Sequence, residues 1–197
     1  MKKLLYLGFV IAVGLVGCPN KAKSTANGKN ILPADSLVMA YYDDAFSLLL
    51  PQRWTVETDT VETWAIKHVV DSLGIKSGVV EFYSPTNPFK IRIVKSAMRW
   101  ASPESPVTEW AGLSQFNANN DSTCIYISDV ADSISIDGND ACRYWAAFDS
   151  KGDTIIQDQY IVLKNKYDLY YISGVYDYGD EVSPVLFSKI LSTLKLK

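Results

Sequence analysis

QYIVLKNKYDLYYISG, residues Gln159–Gly174, decides how this chain folds. Apolar and aromatic residues flank Asn165-Lys166, the composition of two β-strands joined by a tight turn. Within Tyr167–Ile172 both alternations of the strand carry a tyrosine, so this hairpin presents aromatic rings on both faces. Working outward, turn signals at Asp137-Gly138 and Lys151-Gly152 divide the preceding chain into further strands. A β-meander of strands over about 123–128, 132–137, 141–149, 153–164 and 167–176 is predicted.

Upstream, Leu37–Tyr42 and Ala45–Leu50 read as two short strands around Asp43-Asp44, the second ended by Pro51. Gly78–Tyr83 and Phe89–Met98 are two more, turning through Pro85-Thr-Asn-Pro88. In the latter, Phe89, Ile91 and Ile93 alternate with Lys90, Arg92 and Val94, a pattern that buries one face and leaves the other largely wet. Helices are expected in three places. Thr60 caps one over about Val61–Leu73, stopped by Gly74, with Val61, Ala65, Val69, Val70 and Leu73 as its apolar stripe. Ser102-Pro103 or Ser105-Pro106 starts a short one that runs to about Phe116. Ser183-Pro184 starts the last, which carries Leu186, Phe187, Ile190, Leu191 and Leu194 inward. Strands dominate, so the expected class is α+β: an antiparallel sheet of about six to seven strands covered by helices, in two or three layers.

The amino-terminal end speaks of location. Lys2 and Lys3 precede thirteen apolar residues, Leu4–Val16, and a small residue, Gly17. These are the parts of a secretory signal. A helix of that length reaches about 20 Å, short of the roughly 30 Å hydrocarbon layer. Leu15-Val16-Gly17-Cys18 resembles the lipobox of bacterial lipoproteins. The resemblance implies cleavage before Cys18, a diacylglycerol on its thiol and an acylated new amino terminus. Two or more chains, at about 0.8 kcal/mol per buried CH₂, hold a protein firmly on a membrane. The expected organisation is a signal over 1–17, a lipidated Cys18 and tether over 18–34, and one domain over 35–197. Pro19–Asn30 is polar and unpatterned, with a reach of roughly 20 Å. Residue 19 is Pro rather than Asp, which by family analogy favours the outer membrane of a Gram-negative source, and no acidic surface-export signal follows Cys18, so the domain is expected to face the periplasm.

Charge excludes one class of partner. Setting aside Lys2, Lys3, Lys21, Lys23 and Lys29 leaves 14 of the 19 basic residues against all 22 acidic ones, a domain charge of −8. Such a surface repels phosphate backbones, so no nucleic acid is expected.

Catalytic constellations are weak. His68 is the sole histidine, so any Ser–His or multi-His site is limited to a single imidazole, and its place beside Trp64 reads as packing. Ser192-Thr-Leu-Lys195 fits a nucleophile–base spacing but lacks the companion motifs. The acidic turns Asp137–Asp140, Asp149 with Asp153, and Asp177 with Asp180-Glu181 lack the alternating ligands of a calcium loop, so no metal or other cofactor is assigned. Cys124 and Cys142, 17 residues apart, are candidates for a disulfide in an oxidising envelope; two separate buried thiols are the alternative. Tyr167, Tyr170, Tyr171, Tyr176 and Tyr178 form a candidate binding surface, since tyrosine joins apolar area to a polar handle.

Phe46-Ser-Leu-Leu-Leu50-Pro51-Gln-Arg-Trp54, an apolar strand ending in Pro and followed closely by Trp, resembles the opening of PsbP-like domains. Two Tyr-rich strands and then a helix ending in Ile190–Lys195 are similar to their close. The resemblance spans about Leu37–Lys195 and implies an antiparallel sheet between helices. It implies an accessory or assembly factor that binds a protein partner rather than a catalyst. The helix over Val61–Ser72 is longer than the family pattern, and no family ligand set matches residues here. The expectation is therefore a non-enzymatic envelope lipoprotein, held by the acyl chains of Cys18, with a protein partner. A small-molecule or glycan binder with an aromatic cleft is the alternative.

Overall fold

The computed structural model describes residues 37–59, 77–97, 106–165 and 168–197, all within one compact unit, Leu32–Lys197. Cys18, the tether, the helix expected over 61–73 with His68, and Tyr167 lie outside the described residues.

Eleven strands and two helices follow one another in this part of the chain. They are β1 (Leu37–Tyr42), β2 (Phe46–Pro51), β3 (Thr55–Asp59), β4 (Ser77–Tyr83), β5 (Lys90–Ala97), α1 (Val107–Asn119), β6 (Cys124–Ile127), β7 (Ala131–Ile136), β8 (Asn139–Ser150), β9 (Asp153–Lys164), β10 (Asp168–Asp177), α2 (Ser183–Ser192) and β11 (Lys195–Leu196). The main sheet has eight strands in the order β3-β4-β5-β10-β9-β8-β6, with β7 also paired to β8. A second sheet of three runs β1-β2-β11. All pairings are antiparallel. The α+β class holds, although the main sheet is wider than six or seven strands.

Two tight turns set the register of the meander. Lys151 and Gly152 both take positive φ (57° and 91°), as do Asp137 and Gly138 (51° and 74°). That is the backbone of a type I′ hairpin, whose twist matches the strands it joins. The Lys151-Gly152 turn therefore pairs Ser150 with Asp153 and carries the ladder back to Ala141 opposite Val162.

Each face of the main sheet has its own cover. On one lie α2 and the small sheet, packed through Phe46, Leu48, Leu50, Phe187 and Ile190 onto Phe82, Ile91, Ile93, Tyr170 and Ile172. On the other lies α1, which sets Val107 and Ala111 against Cys142, Tyr144, Ala146, Ile161 and Leu169. The approach of α2 depends on Gly174, because a Cβ there would stand 2.6 Å from Cδ1 of Phe187.

The two helix starts differ from expectation. For α2 the N-cap is Val182, and the start is held from upstream by Asp180 rather than by Ser183: Asp180 Oδ1 accepts the backbone N–H of Val182 and Ser183 at 2.9 and 3.0 Å. Ser183 adds its own hydroxyl to Asp180 Oδ2 at 2.6 Å. These bonds hold the Asp180 carboxyl below its usual range despite the opposing effect of burial. For α1 the N-cap is Pro106, with no side-chain cap.

β11 exists because β2 offers it an edge, with Leu196 opposite Phe46. Asp137, in the β7–β8 turn, accepts the Leu196 N–H at 2.9 Å and the Lys195 ammonium at 2.9 Å. Tyr170 donates its hydroxyl to the Ala45 carbonyl oxygen at 3.0 Å, tying the small sheet to the large one.

Candidate functional site

The tyrosines of β10 do not form the surface expected of them. Tyr170 is fully buried and Tyr176 nearly so, both on the face covered by α2 and the small sheet. Tyr171 points to the opposite face and packs against the core under α1. Rings do stand on both faces, as the alternation implied, but β10 sits between β5 and β9 and both faces are covered there. Of the four described members of the set, Tyr178 alone is open, at 72 % exposure beyond the strand's end.

The disulfide is also corrected. Cys124 pairs with Phe148 across β6 and β8, six residues along β8 from Cys142. At about 3.3 Å per residue this separates them by roughly 20 Å, far beyond the reach of a bridge. Cys142 is buried and Cys124 half-buried, and no bond joins them.

A different set of residues meets at the β6 end of the sheet. Tyr126, 53 % exposed, lies with its ring 4.8 Å from that of Trp145 at 34°. Two residues back on the same face of β8, Arg143 reaches across to β9. Its Nε and Nη2 donate to Oδ1 and Oδ2 of Asp158 at 2.8 and 2.9 Å, a two-pronged pair. The Asp158 side chain is 3 % exposed while that of Arg143 is 45 % exposed. The carboxylate thus anchors a guanidinium that stays about half exposed. The guanidinium carbon also lies 5.4 Å from the Tyr160 ring centroid. Hydrogen bonding to Asp158 keeps Arg143 charged above its already high range, and burial raises the Tyr160 phenol.

The sequence carried a signal for this cluster. With the hairpin turning at Lys151-Gly152, Arg143 must face Tyr160 and Trp145 must face Asp158. Arg-x-Trp opposite Asp-x-Tyr is a charged and aromatic checkerboard on one face.

Beside it, between α2 and the β7–β8 turn, opens a recess of about 310 Å³. Ser188, Leu191, Ser192 and Lys195 line one side, Asp137 the other, and Tyr160 also contributes. Ser192 and Lys195 are not a nucleophile and its base. The Ser192 hydroxyl donates to the Lys189 carbonyl oxygen at 2.6 Å, and Lys195 is paired with Asp137. Among the described residues, no group of three or more His, Cys, Asp or Glu is placed to hold a metal, and no helix is long and apolar enough to cross a membrane.

No family model matches the chain. No curated protein sequence matches it. Solved structures do. A protein from Bacteroides thetaiotaomicron VPI-5482 is 15 % identical with a TM-score of 0.50, covering 77 % of this chain and 45 % of that one. The chain thus spans less than half of that protein's length. The solution structure of cyanobacterial PsbP (CyanoP) from Synechocystis sp. PCC 6803 gives 12 % identity and a TM-score of 0.51, covering 88 % of this chain and 98 % of that one. A protein of unknown function, PA94, from Pseudomonas aeruginosa gives 13 % and 0.48 over 81 % and 96 % of the two chains. At such identities the likeness to CyanoP bears on fold alone, and the fold is PsbP-like.

Proposed function

We propose that this protein is a non-enzymatic accessory factor of the bacterial envelope. In this reading it is held by acyl chains on Cys18, on the periplasmic side of the outer membrane, and its domain binds a protein partner. The observation that carries the binding half is the surface of Tyr126, Trp145 and Arg143. An exposed tyrosine, a tryptophan and a guanidinium already fixed by a buried carboxylate are the residue types that dominate interface energetics. Little side-chain entropy remains to be lost there on binding, because Trp145 is half-buried and Arg143 is pinned. The anchor half rests on the signal and lipobox ending at Cys18. Both halves agree with the acidic domain, which disfavours nucleic acid.

The test is crosslinking and pull-down of the full-length protein from its membrane, with Cys18→Ala and Tyr126→Ala as comparisons. Wild type should capture one dominant envelope protein, and Tyr126→Ala should lose it while staying in the membrane fraction. Cys18→Ala should leave the membrane fraction or accumulate uncleaved. Capture undiminished by Tyr126→Ala refutes the surface, and unaltered fractionation of Cys18→Ala refutes the anchor.

A further inference from the structure

The recess between α2 and the β7–β8 turn adjoins the partner surface through Arg143 and Tyr160 but is built differently. Ser188, Leu191, Ser192 and Lys195 recur at i, i+3, i+4 and i+7 along and just past α2, one stripe of that helix. Asp137, bonded to Lys195, and Tyr160 add to the lining. Tyr160 is held from two directions, by the edge of Phe187 at 5.7 Å and 77° and by the guanidinium of Arg143. Its hydroxyl has no hydrogen-bond partner among the described residues. The aromatic element is thus fixed and its polar end is open to a ligand.

Charge tells which ligand fits. Asp137 is paired with Lys195 at 2.9 Å, and Arg143 with Asp158 at 2.8 Å. Lys164, a further cation near Asp137, donates to the Leu196 carbonyl oxygen at 2.6 Å and is not part of the lining. Each pair neutralises its cation, so the recess carries little net charge to favour an ionic ligand over a neutral one. What the recess offers is hydroxyl chemistry: the Tyr160 phenol, Ser188, and Ser192, whose oxygen still accepts after donating to Lys189. Leu191 and the Tyr160 ring add apolar area. The volume of about 310 Å³ lies at the lower end of small-molecule sites. We infer that this recess binds a neutral saccharide, with ring carbons against Tyr160 and Leu191 and hydroxyls bonded to Ser188, Ser192 and Tyr160.

Isothermal titration calorimetry of the full-length protein in detergent tests this, with N,N′-diacetylchitobiose, cellobiose and maltose as neutral probes and digalacturonate as the anionic one. At least one neutral disaccharide should bind saturably and more tightly than digalacturonate. Ser192→Trp, at an exposed helix position, fills the recess and should weaken binding more than tenfold with an unchanged melting curve. Tyr160→Phe keeps the ring and should weaken it about five- to tenfold, the worth of one hydrogen bond. Tyr126→Ala should leave saccharide affinity intact, which separates this site from the partner surface. The inference is overturned if none of the three neutral sugars binds, if digalacturonate binds more tightly, or if Ser192→Trp binds like wild type.

Discussion

β10 and β6 both carry aromatic residues, and the two strands use them in opposite ways. Tyr170 and Tyr176 in β10 are core residues; Tyr170 also spans the layers by its bond to Ala45. Tyr126 in β6 stands on the sheet's edge, stacked on Trp145 and open to solvent. Local sequence at the two sites is similarly aromatic. What separates them is lateral position: β10 has a strand on each side and cover on each face, while β6 ends the sheet. A tyrosine's role here follows from its distance to the edge rather than from its neighbours in sequence.

The largest effect that contrast predicts is at Tyr170. Tyr170→Ala should cost about 3–5 kcal/mol, as large aromatic truncations in cores do, whereas Tyr170→Phe should lose only about 1 kcal/mol with its hydrogen bond. Urea unfolding of the full-length protein reads both, and a cost for Tyr170→Ala near that of a surface change would erase the distinction. Next comes Gly174→Val, where the new side chain meets Phe187 at 2.6 Å. Overpacking should destabilise by about 1–3 kcal/mol, and Phe187→Leu in the same chain should relieve part of it. Simple additivity of the two changes would show that α2 does not rest on that glycine.

A smaller, pH-dependent effect belongs to Asp137. Its hydrogen bond from Lys195 is the chief reason its carboxyl lies below the usual 3.8, with the Leu196 N–H assisting against desolvation. A carboxyl lowered by folding adds stability above its unfolded-state value and loses it as pH falls through the lower folded value. Asp137→Asn should therefore flatten the acid limb of a stability-against-pH curve; an unchanged limb would mean the β11 tie contributes nothing. The smallest effect is at the edge itself. Tyr126→Ala should change unfolding free energy by no more than about 0.5 kcal/mol, and a loss near that of Tyr170→Ala would make Tyr126 structural.

The meander was legible because its turns are chemically explicit. Asp137-Gly138 and Lys151-Gly152 announce type I′ geometry, and the pairing of β8 with β9 follows from the second. β3 and β11 were not legible. Thr55–Asp59 is polar and short, and Lys195–Leu196 is two residues whose strand character comes wholly from β2. The start of α2 is legible, but Asp180, three residues before Ser183, holds it instead, because one carboxylate oxygen accepts two N–H groups at once. The same limit applied to the site. The register placing Arg143 near Asp158 was available, whereas the burial of Asp158 against the exposure of Arg143 is set by tertiary packing that the strand pattern does not encode.

The pairing of Phe46 with Leu196 has a consequence for how the domain folds. That contact closes a loop containing nearly the whole domain. Loop closure grows only logarithmically with length, about 0.6 kcal/mol per doubling, so the native state bears the cost easily. Kinetics are less forgiving, since contacts so distant in sequence form slowly. Until β11 docks, one edge of β2 stands unpaired, and the core side chains Phe46, Leu48 and Leu50 belong to a strand open on that side. Docking of the two-residue β11 is therefore expected late in folding, and an unclosed β2 edge is where a partly folded chain would first stick to another.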